Sequence, residues 1–238
     1  MTNRYTASAE IYDKIYAEVV DYPASAGLLK WLIAERNPET KTLLEVACGT
    51  GEVLRHLADE YVVAGLDLSE DMLDVARVKL PNVELRALDM TDFEWGATFD
   101  AVICMFSSIG YMTDLDSLHG AYDRMIAHLN PGGVLVCEAW LTPEAFQDNF
   151  VGGLAVGDHT FRVHRVNNSW LEDDGRVSVM DMHHLVGRPE GVTHFAERHR
   201  MGLFTVDEHL EAIRATGIEA EHRPDLFMGR GTYIGAKA

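Results

Sequence analysis

The chain of 238 residues has few cysteines, and the three it has show no functional spacing. Cys48, Cys104 and Cys137 each stand alone in or beside an apolar segment, whereas zinc and redox sites need closely paired cysteines. We interpret all three as small buried side chains in a reducing compartment.

Long apolar runs are also absent. No segment approaches the roughly 18 consecutive apolar residues that span a membrane. The first residues, with Arg4, Glu10 and Asp13 among polar neighbours, lack the apolar stretch of a secretory signal. Together these absences predict a cytoplasmic protein.

Basic residues are scarce relative to acidic ones. The chain has 20 lysines and arginines against 38 aspartates and glutamates, which gives a formal charge of -18. Such a surface repels nucleic acid backbones and anionic membranes, so we expect neither as a partner. A substrate that carries phosphates would need a local basic site built from few arginines.

The eleven histidines do not indicate a metal site. His183 and His184 are adjacent and would point to opposite faces of a strand, while His194 and His199 fit no common ligand spacing. We therefore predict no bound metal.

The most informative segment that is present is a glycine turn at residues 45–51, Glu-Val-Ala-Cys-Gly-Thr-Gly. Gly49 and Gly51 would let a ligand approach bare backbone at the start of the following helix. A dinucleotide fingerprint needs a third glycine where this chain has Leu54, which disfavours a nicotinamide dehydrogenase. An ordinary tight turn remains the alternative.

The predicted strands after this turn end in residues suited to a ligand. The strands are predicted over residues 62–68, 83–88 and 99–105. The residues at the ends of these strands or directly after them are Asp67, Asp89 and Met90, and Met105. Ligands in open α/β sheets bind outside the carboxyl ends of the strands, and Asp67 has a spacing typical of a ribose-binding acid. Each residue also has an ordinary interpretation, as a helix cap or as core, but their recurrence favours function.

Strands and helices alternate up to about residue 140, which is typical of a parallel sheet built by crossover connections. Helices are predicted over residues 24–35, 52–60, 69–80 and 114–129. Asp114 is placed to cap the last of them. A fifth strand is predicted over residues 134–138, after a turn at residues 130–133.

The pattern then changes to alternating apolar and polar residues. Segments 161–166 and 177–182, separated by an acidic turn, predict an antiparallel hairpin. Thr205 and Glu208 resemble a capping box that opens a helix, and two more strands follow it.

We therefore predict an α/β, Rossmann-like core with helices on both faces of its sheet, formed by residues 1–140 and 205–238. Residues 141–204 are expected to form an inserted antiparallel β lobe that contributes to the binding of a substrate.

The order Glu-x-Ala-Cys-Gly-Thr-Gly, Gly-Leu-Asp-Leu-Ser, Ala-Leu-Asp-Met resembles the class I S-adenosylmethionine-dependent methyltransferases. Within that class, residues 105–111, 131–134, 138–140 and 229–231 are similar to the dTDP-amino-sugar N,N-dimethyltransferases of desosamine and mycaminose type. The likeness runs over nearly the whole chain. The glycine turn is shared by very many methyltransferases, whereas the Met-Phe-Ser-Ser block and the late Gly-Arg-Gly are much narrower marks.

The resemblance implies that S-adenosylmethionine is the cofactor. The residues it assigns to cofactor binding are Tyr12, Glu45, Ala47, Gly49, Gly51, Asp67, Leu68, Asp89, Met90 and Met105.

The resemblance also implies that N-terminal tyrosines cover the cofactor and the acceptor amine. The catalytic candidates are Tyr5, Tyr12 and Tyr111, of which Tyr111 follows the Ser-Ser-x-Gly block. Because a free tyrosine, with a pKa of about 10, is a poor general base, we expect Tyr111 to orient the amine. Each of these tyrosines also has a structural alternative. Tyr111 would only pack beneath its loop. Tyr12 would belong to an apolar core stripe with Ile11 and Ile15.

Arg230, between two glycines, is expected to bind the pyrophosphate of a nucleotide sugar, because a guanidinium presents paired donors to phosphate oxygens. A solvated surface arginine is the alternative. Further acceptor contacts are expected from Tyr22, Ser107, Ser108, Trp140, Arg165 and Arg200. On this side the chain departs from the family pattern, with Leu141 after Trp140 and Asn-Asn-Ser at residues 167–169.

The expected function is transfer of one or two methyl groups to the amine of a dTDP-linked deoxy amino sugar in antibiotic biosynthesis. Another small-molecule N- or O-methyltransferase and a non-catalytic S-adenosylmethionine-binding module are the alternatives. The sequence indicates neither the carbon that bears the amine nor the oligomeric state, and a homodimer is one option.

Overall fold

The computed structural model describes residues 8–238, apart from the side chain of Glu10. The strands are β1 Thr42–Val46, β2 Val62–Asp67, β3 Glu84–Ala87, β4 Phe99–Cys104, β5 Leu129–Glu138, β6 Phe150–Gly157, β7 Arg162–Glu172, β8 Val177–Arg188, β9 Gly191–Gly202, β10 Ala220–Arg223 and β11 Thr232–Ala236. The helices are α1 Ala9–Tyr16, α2 Tyr22–Arg36, α3 Glu52–Leu57, α4 Glu70–Lys79, α5 Leu115–Ala127 and α6 Val206–Ala215.

The main sheet has seven strands in the order β10-β11-β5-β4-β1-β2-β3. The strands β1 to β5 are parallel, and β11 runs antiparallel to both β5 and β10. Helices cover both faces, α5 and α6 on one and α2, α3 and α4 on the other. Because both faces are buried, the central strands consist mostly of apolar residues. The predicted α/β core is confirmed.

A second, antiparallel sheet follows β5 along the chain, in the order β6-β7-β8-β9. The predicted hairpin is confirmed as β7 and β8, which pair up to Glu172 and Val177. Ile11 and Ile15 of α1 pack on valines of this sheet. The division into a core and an inserted lobe stays a prediction, since Trp140 shares an apolar cluster with this sheet.

The helix starts agree with their predicted caps. Asp114 accepts a hydrogen bond from Ser117 N at 2.7 Å, and Thr205 accepts one from Glu208 N at 3.2 Å. Both caps are reciprocal capping boxes, which satisfy backbone donors at the helix start. None of the helices in the described chain is long and apolar enough to cross a membrane.

Most predicted boundaries lie within two residues of the observed ones, but one helix end and one predicted turn differ more. Helix α3 ends at Leu57, three residues before the predicted end, and is capped by Ala58. The predicted turn at residues 130–133 is a bulge inside β5, where the pairing jumps from Phe99–Leu129 to Ala101–Val134. Gly132, with φ of 77°, supplies the left-handed residue that this bulge contains.

Candidate active site

A cavity of about 530 Å³ lies at the carboxyl ends of the main-sheet strands, between these ends, α1 and the second sheet. The wall next to β1, β2 and β3 consists of Ala47, Gly49, Leu66, Asp67, Leu68, Ser69, Met72, Leu88, Asp89 and Met90. The other walls consist of Tyr12, Tyr16, Val19, Val20, Tyr22, Phe106, Ser108, Tyr111, Met112, Trp140, Phe150, Arg165, Asn167, Met180, Met182, Met201, Met228 and Arg230. Its volume and its mixed lining are typical of small-molecule sites.

The glycine turn and Asp67 form one hydrogen-bonded unit at this cavity. Ala47 and Gly49 both have left-handed backbones, with φ of 58° and 54°. The Asp67 carboxylate accepts hydrogen bonds from Gly49 N and Ser69 N, each at 2.8 Å and each on a different oxygen. Burial raises the pKa of Asp67, and these two hydrogen bonds oppose that rise. A carboxylate offers about four acceptor sites, so Asp67 can still accept a hydrogen bond from a ligand hydroxyl.

Gly51 has a packing role. A Cβ on Gly51 would lie 2.8 Å from Leu80 Cδ1 and 3.3 Å from Ala76 Cβ, and its φ is 73°. The absence of a side chain therefore lets α4 approach the turn closely. Gly51 does not line the cavity.

Glu45 and Met105 line a smaller recess of about 40 Å³ beside the cavity, to which Tyr12, Tyr22 and Gly49 also contribute. Glu45 is 2% exposed, and its Oε2 has no hydrogen-bond partner among the described residues. Burial, followed by the charge of Asp67, raises the pKa of Glu45 well above its usual range. The recess is thus lined by an acid whose charged form is disfavoured by burial.

Helix α1 is held over the glycine turn by charged contacts. Asp13 accepts hydrogen bonds from Thr50 Oγ and from Lys79 Nζ, the latter at 2.6 Å. Lys79 also reaches Glu52, at 3.1 Å. At the start of the helix, Ser8 donates from N and Oγ to Glu197 of β9.

The apolar stripe predicted in this helix divides between two surroundings. Ile11 and Ile15 belong to a buried cluster, whereas Tyr12 and Tyr16 line the cavity with ring centroids 4.4 Å apart. Tyr5 lies outside the described residues. Tyr22 is buried at the cavity wall, and its ring packs edge-to-face with that of Phe106, with the ring centroids 5.5 Å apart.

The block at residues 105–111 shapes the floor between the two sheets. A Cβ on Gly110 would lie 2.7 Å from Trp140 Cβ and 2.8 Å from Met201 Cε, so glycine is required for Trp140 to pack here. Ser107 lies behind the wall: its Oγ donates to Ala139 O at 2.6 Å and accepts from Arg230 Nη1 at 3.1 Å. Ser108 lines the cavity directly.

Tyr111 lines the cavity and has a partner that the sequence did not indicate. Its hydroxyl lies 2.9 Å from Nδ1 of His199 on β9. Burial, with the charge of Arg165, lowers the pKa of His199 to about 4, so the imidazole is neutral at neutral pH. No strand was predicted around His199, and its pairing with Tyr111 depends on how the two sheets meet.

The arginines of the predicted acceptor set have different surroundings. Arg230 lies over the Trp140 ring, 4.5 Å from its centroid, and both residues line the cavity. Arg165 also lines it and donates to Tyr16 OH at 3.1 Å. Arg200 forms ion pairs with Glu172 and Asp173 at the turn after β7 and does not line the cavity.

Several lining residues were not predicted from the sequence. They include Tyr16, Ser69, Met72, Phe106, Phe150, Asn167, Met180, Met182, Met201 and Met228. The alternation in β8 indicated a strand, but not that Met180 and Met182 line the cavity. Within residues 8–238, no group of three or more potential ligands could hold a metal ion.

Comparison with known proteins gives consistent results. Residues 43–133 match the model of a methyltransferase domain. Over 230 residues the chain is 41% identical to a dTDP-3-amino-3,6-dideoxy-alpha-D-glucopyranose N,N-dimethyltransferase of Streptomyces fradiae, covering 95% of this chain and 89% of that relative. Over 232 residues it is also 41% identical to a dTDP-4-amino-2,3,4,6-tetradeoxy-D-glucose N,N-dimethyltransferase of Saccharopolyspora spinosa, covering 96% and 92%. The crystal structure of Streptomyces venezuelae DesVI superposes with a TM-score of 0.92 at 40% identity, covering 97% of this chain and 98% of DesVI.

Proposed function

This chain belongs to the family of dTDP-amino-sugar N,N-dimethyltransferases, and from that premise we propose that it methylates the amine of a dTDP-linked deoxy amino sugar in antibiotic biosynthesis. The methyl donor of the family is S-adenosylmethionine. One observation carries the proposal: a single cavity is lined both by Gly49 and Asp67 and by Trp140 and Arg230. A donor and an anionic acceptor can therefore meet in one enclosure.

The cofactor side of the cavity fits S-adenosylmethionine. Asp67 lines this wall, and its carboxylate can accept a hydrogen bond from a ribose hydroxyl. Leu68, Asp89 and Met90 line the same wall and would hold the adenosine. When bound, the cofactor supplies a methyl group already activated by a sulfonium. The protein therefore has to supply position and exclusion of water more than chemical activation.

The amine has to be neutral when it reacts, because an ammonium has no lone pair. Tyr111 is placed to orient the amine through its hydroxyl, which His199 holds at 2.9 Å. Since His199 is a neutral imidazole with a pKa near 4, it is a poor acceptor for the proton of the amine. We infer that this proton is lost to bulk water before the acceptor is enclosed and that the Tyr111–His199 pair fixes geometry. Tyr12, on the same cavity, covers the reacting groups.

The acceptor side combines Arg230 with the second sheet. Arg230 binds the pyrophosphate, and Trp140 forms a wall against which a sugar ring can pack. Arg165 and Asn167 of β7 supply polar contacts from the predicted inserted lobe. Arg200 is not part of the proposed site, because its charge is paired with Glu172 and Asp173.

The cellular setting is part of the same proposal. A nucleotide-sugar substrate suits a cytoplasmic enzyme, and a formal charge of -18 does not suit nucleic acid as a partner. We propose a homodimer as the assembly to test by light scattering.

The test is mass spectrometry after incubation with S-adenosylmethionine and a panel of dTDP-3-amino and dTDP-4-amino sugars. We expect mono- and dimethylated product from one regioisomer, which identifies the carbon that bears the amine. Reactions without cofactor and reactions with Asp67→Ala serve as controls. Product from other amines or hydroxyls but from none of the sugars would show a broader small-molecule methyltransferase. Cofactor binding without any product would show a binding module.

A further inference from the structure

Glu138 is a buried carboxyl that the proposed mechanism does not use. It is the last residue of β5, its exposure is 0%, and it does not line the cavity. An acid in this position is expensive to bury unless its oxygens are hydrogen-bonded. The partners of those oxygens therefore indicate its role.

The two oxygens of Glu138 hold two separate loops. Oε2 accepts a hydrogen bond from Phe106 N at 2.9 Å, in the loop after β4. Oε1 accepts a longer one from Met228 N at 3.4 Å, in the loop before β11. Phe106 and Met228 both line the cavity, and Arg230 follows Met228 by two residues.

Both loops contain residues in a conformation that L-amino acids rarely adopt. Phe106 and Ser107 have φ of 52° and 65°, and Phe227 has φ of 50°. Non-glycine residues persist in this left-handed region only when their surroundings hold them there. The Glu138 carboxylate is bonded directly to one such residue and to the residue after another.

A second link joins the same two loops. Arg230 Nη1 donates to Ser107 Oγ at 3.1 Å, and Ser107 Oγ donates to Ala139 O at 2.6 Å, next to Glu138. The arginine is thus placed by a loop that Glu138 holds, and it is bonded to another loop that Glu138 also holds.

We propose that Glu138 is a positioning residue for acceptor binding, whose carboxylate fixes both loops so that Arg230 faces the acceptor. This inference rests on the proposed function, because it takes Arg230 to be the phosphate-binding residue. Glu138 touches neither the acceptor nor the cofactor and acts through Arg230.

The test uses Glu138→Gln in the full-length protein. The amide keeps the shape of the side chain but presents an N–H₂ group to one of the two backbone donors, and the weaker bond, to Met228, is the one expected to break. We expect the Kd of the dTDP-amino sugar that the wild type methylates to rise at least tenfold in calorimetric titration. The Kd of S-adenosylmethionine should change less than threefold.

A double variant separates positioning from general loss of structure. If Glu138 acts through Arg230, Glu138→Gln combined with Arg230→Ala should bind the acceptor no more weakly than Arg230→Ala alone. Losses that multiply in the double variant would overturn the proposal.

Asp100→Asn is the matched control. Asp100 Oδ2 also clamps two backbone donors, Lys41 N and Thr42 N at 3.0 Å, but at the amino end of the sheet, away from the cavity. Asp100→Asn should lower Tm without raising the acceptor Kd. If the acceptor Kd rises equally in Asp100→Asn and Glu138→Gln, Glu138 has only a structural role. If the wild type itself neither binds nor methylates any dTDP-amino sugar, the proposed function fails before any variant is compared.

Discussion

At the scale of single residues, Arg230 and Arg200 make a matched pair of arginines. Arg230 faces the cavity over Trp140, whereas Arg200 is paired with Glu172 and Asp173. Removing a charge-assisted contact to a ligand typically loses about 1.5–3 kcal/mol, or roughly 10- to 150-fold in affinity. Arg230→Ala should therefore raise the KM of the acceptor by that factor and leave the KM of S-adenosylmethionine within about twofold.

Steady-state kinetics with each substrate varied in turn measure this effect. Arg200→Ala is the control and should change neither KM. Equal increases in both KM values for Arg230→Ala would remove Arg230 from the phosphate site.

The Tyr111 hydroxyl and His199 are expected to act as one unit. Tyr111→Phe removes the hydroxyl, and His199→Phe removes the nitrogen that holds it at 2.9 Å. Each single variant should lower kcat by up to roughly a hundredfold, because a reacting group misplaced by about 1 Å can lose that much rate. Single-turnover rates at saturating cofactor measure the step. The double variant should be little slower than the worse single variant, and multiplicative losses would show that the two residues act independently.

At the scale of elements, helix α1 is placed by Asp13. The Asp13 carboxylate contacts Thr50 in the glycine turn and Lys79 at the end of α4, with its side chain 32% exposed. Partly exposed ion pairs contribute about 1 kcal/mol or less, and the hydroxyl contact adds to this. Asp13→Ala should therefore weaken S-adenosylmethionine binding by roughly fivefold, because Tyr12 is no longer held over the cavity.

Calorimetric titration with the cofactor checks the effect of Asp13. Asp59→Ala is the control, since it removes an ion pair with Lys30 from a side chain that is 73% exposed. A cofactor Kd unchanged in Asp13→Ala would show that α1 stays in place without this contact.

Element types were predictable from the sequence because periodicity and caps act locally. Asp114 and Thr205 cap the helices that their sequences indicate, and the alternation on both sides of the acidic turn identifies β7 and β8. The turn signal at residues 130–133 was misleading, because a glycine with positive φ serves a bulge as well as a turn. The ion pairs of Arg200 were not predictable from local sequence either, because its partners Glu172 and Asp173 lie 28 and 27 residues away in the chain.

At the scale of the whole molecule, the site arises where two sheets meet, and such a meeting is not encoded locally. Motifs predicted the wall that contains Gly49 and Asp67, because a strand-to-helix turn and a strand end are local features. The opposite wall brings Tyr111 of the main-sheet side to His199 of β9, 88 residues later. Only the packing of the second sheet creates this pair.

The buried His209 makes the stability of the whole molecule depend on pH. Its ring is 3% exposed, stacks on Tyr233 and lies 2.8 Å from Tyr122 OH. Burial lowers its pKa to about 3, against about 6.5 for an unfolded histidine. Below pH 6.5 His209 therefore binds a proton in the unfolded chain but not in the folded chain, so the free energy of unfolding decreases as the pH falls.

From pH 7 to pH 5, this histidine alone should lower the free energy of unfolding by about 2 kcal/mol. Because other groups titrate too, the informative quantity is the difference between the wild type and His209→Gln in urea unfolding. The variant should be less stable at pH 7, since it loses the stacking on Tyr233, and the difference should shrink by about 2 kcal/mol by pH 5. Ile213→Val, on the same helix, removes buried volume but no titratable group, so it is the control and should keep a constant difference. A constant difference for His209→Gln as well would mean that His209 becomes protonated in the folded protein.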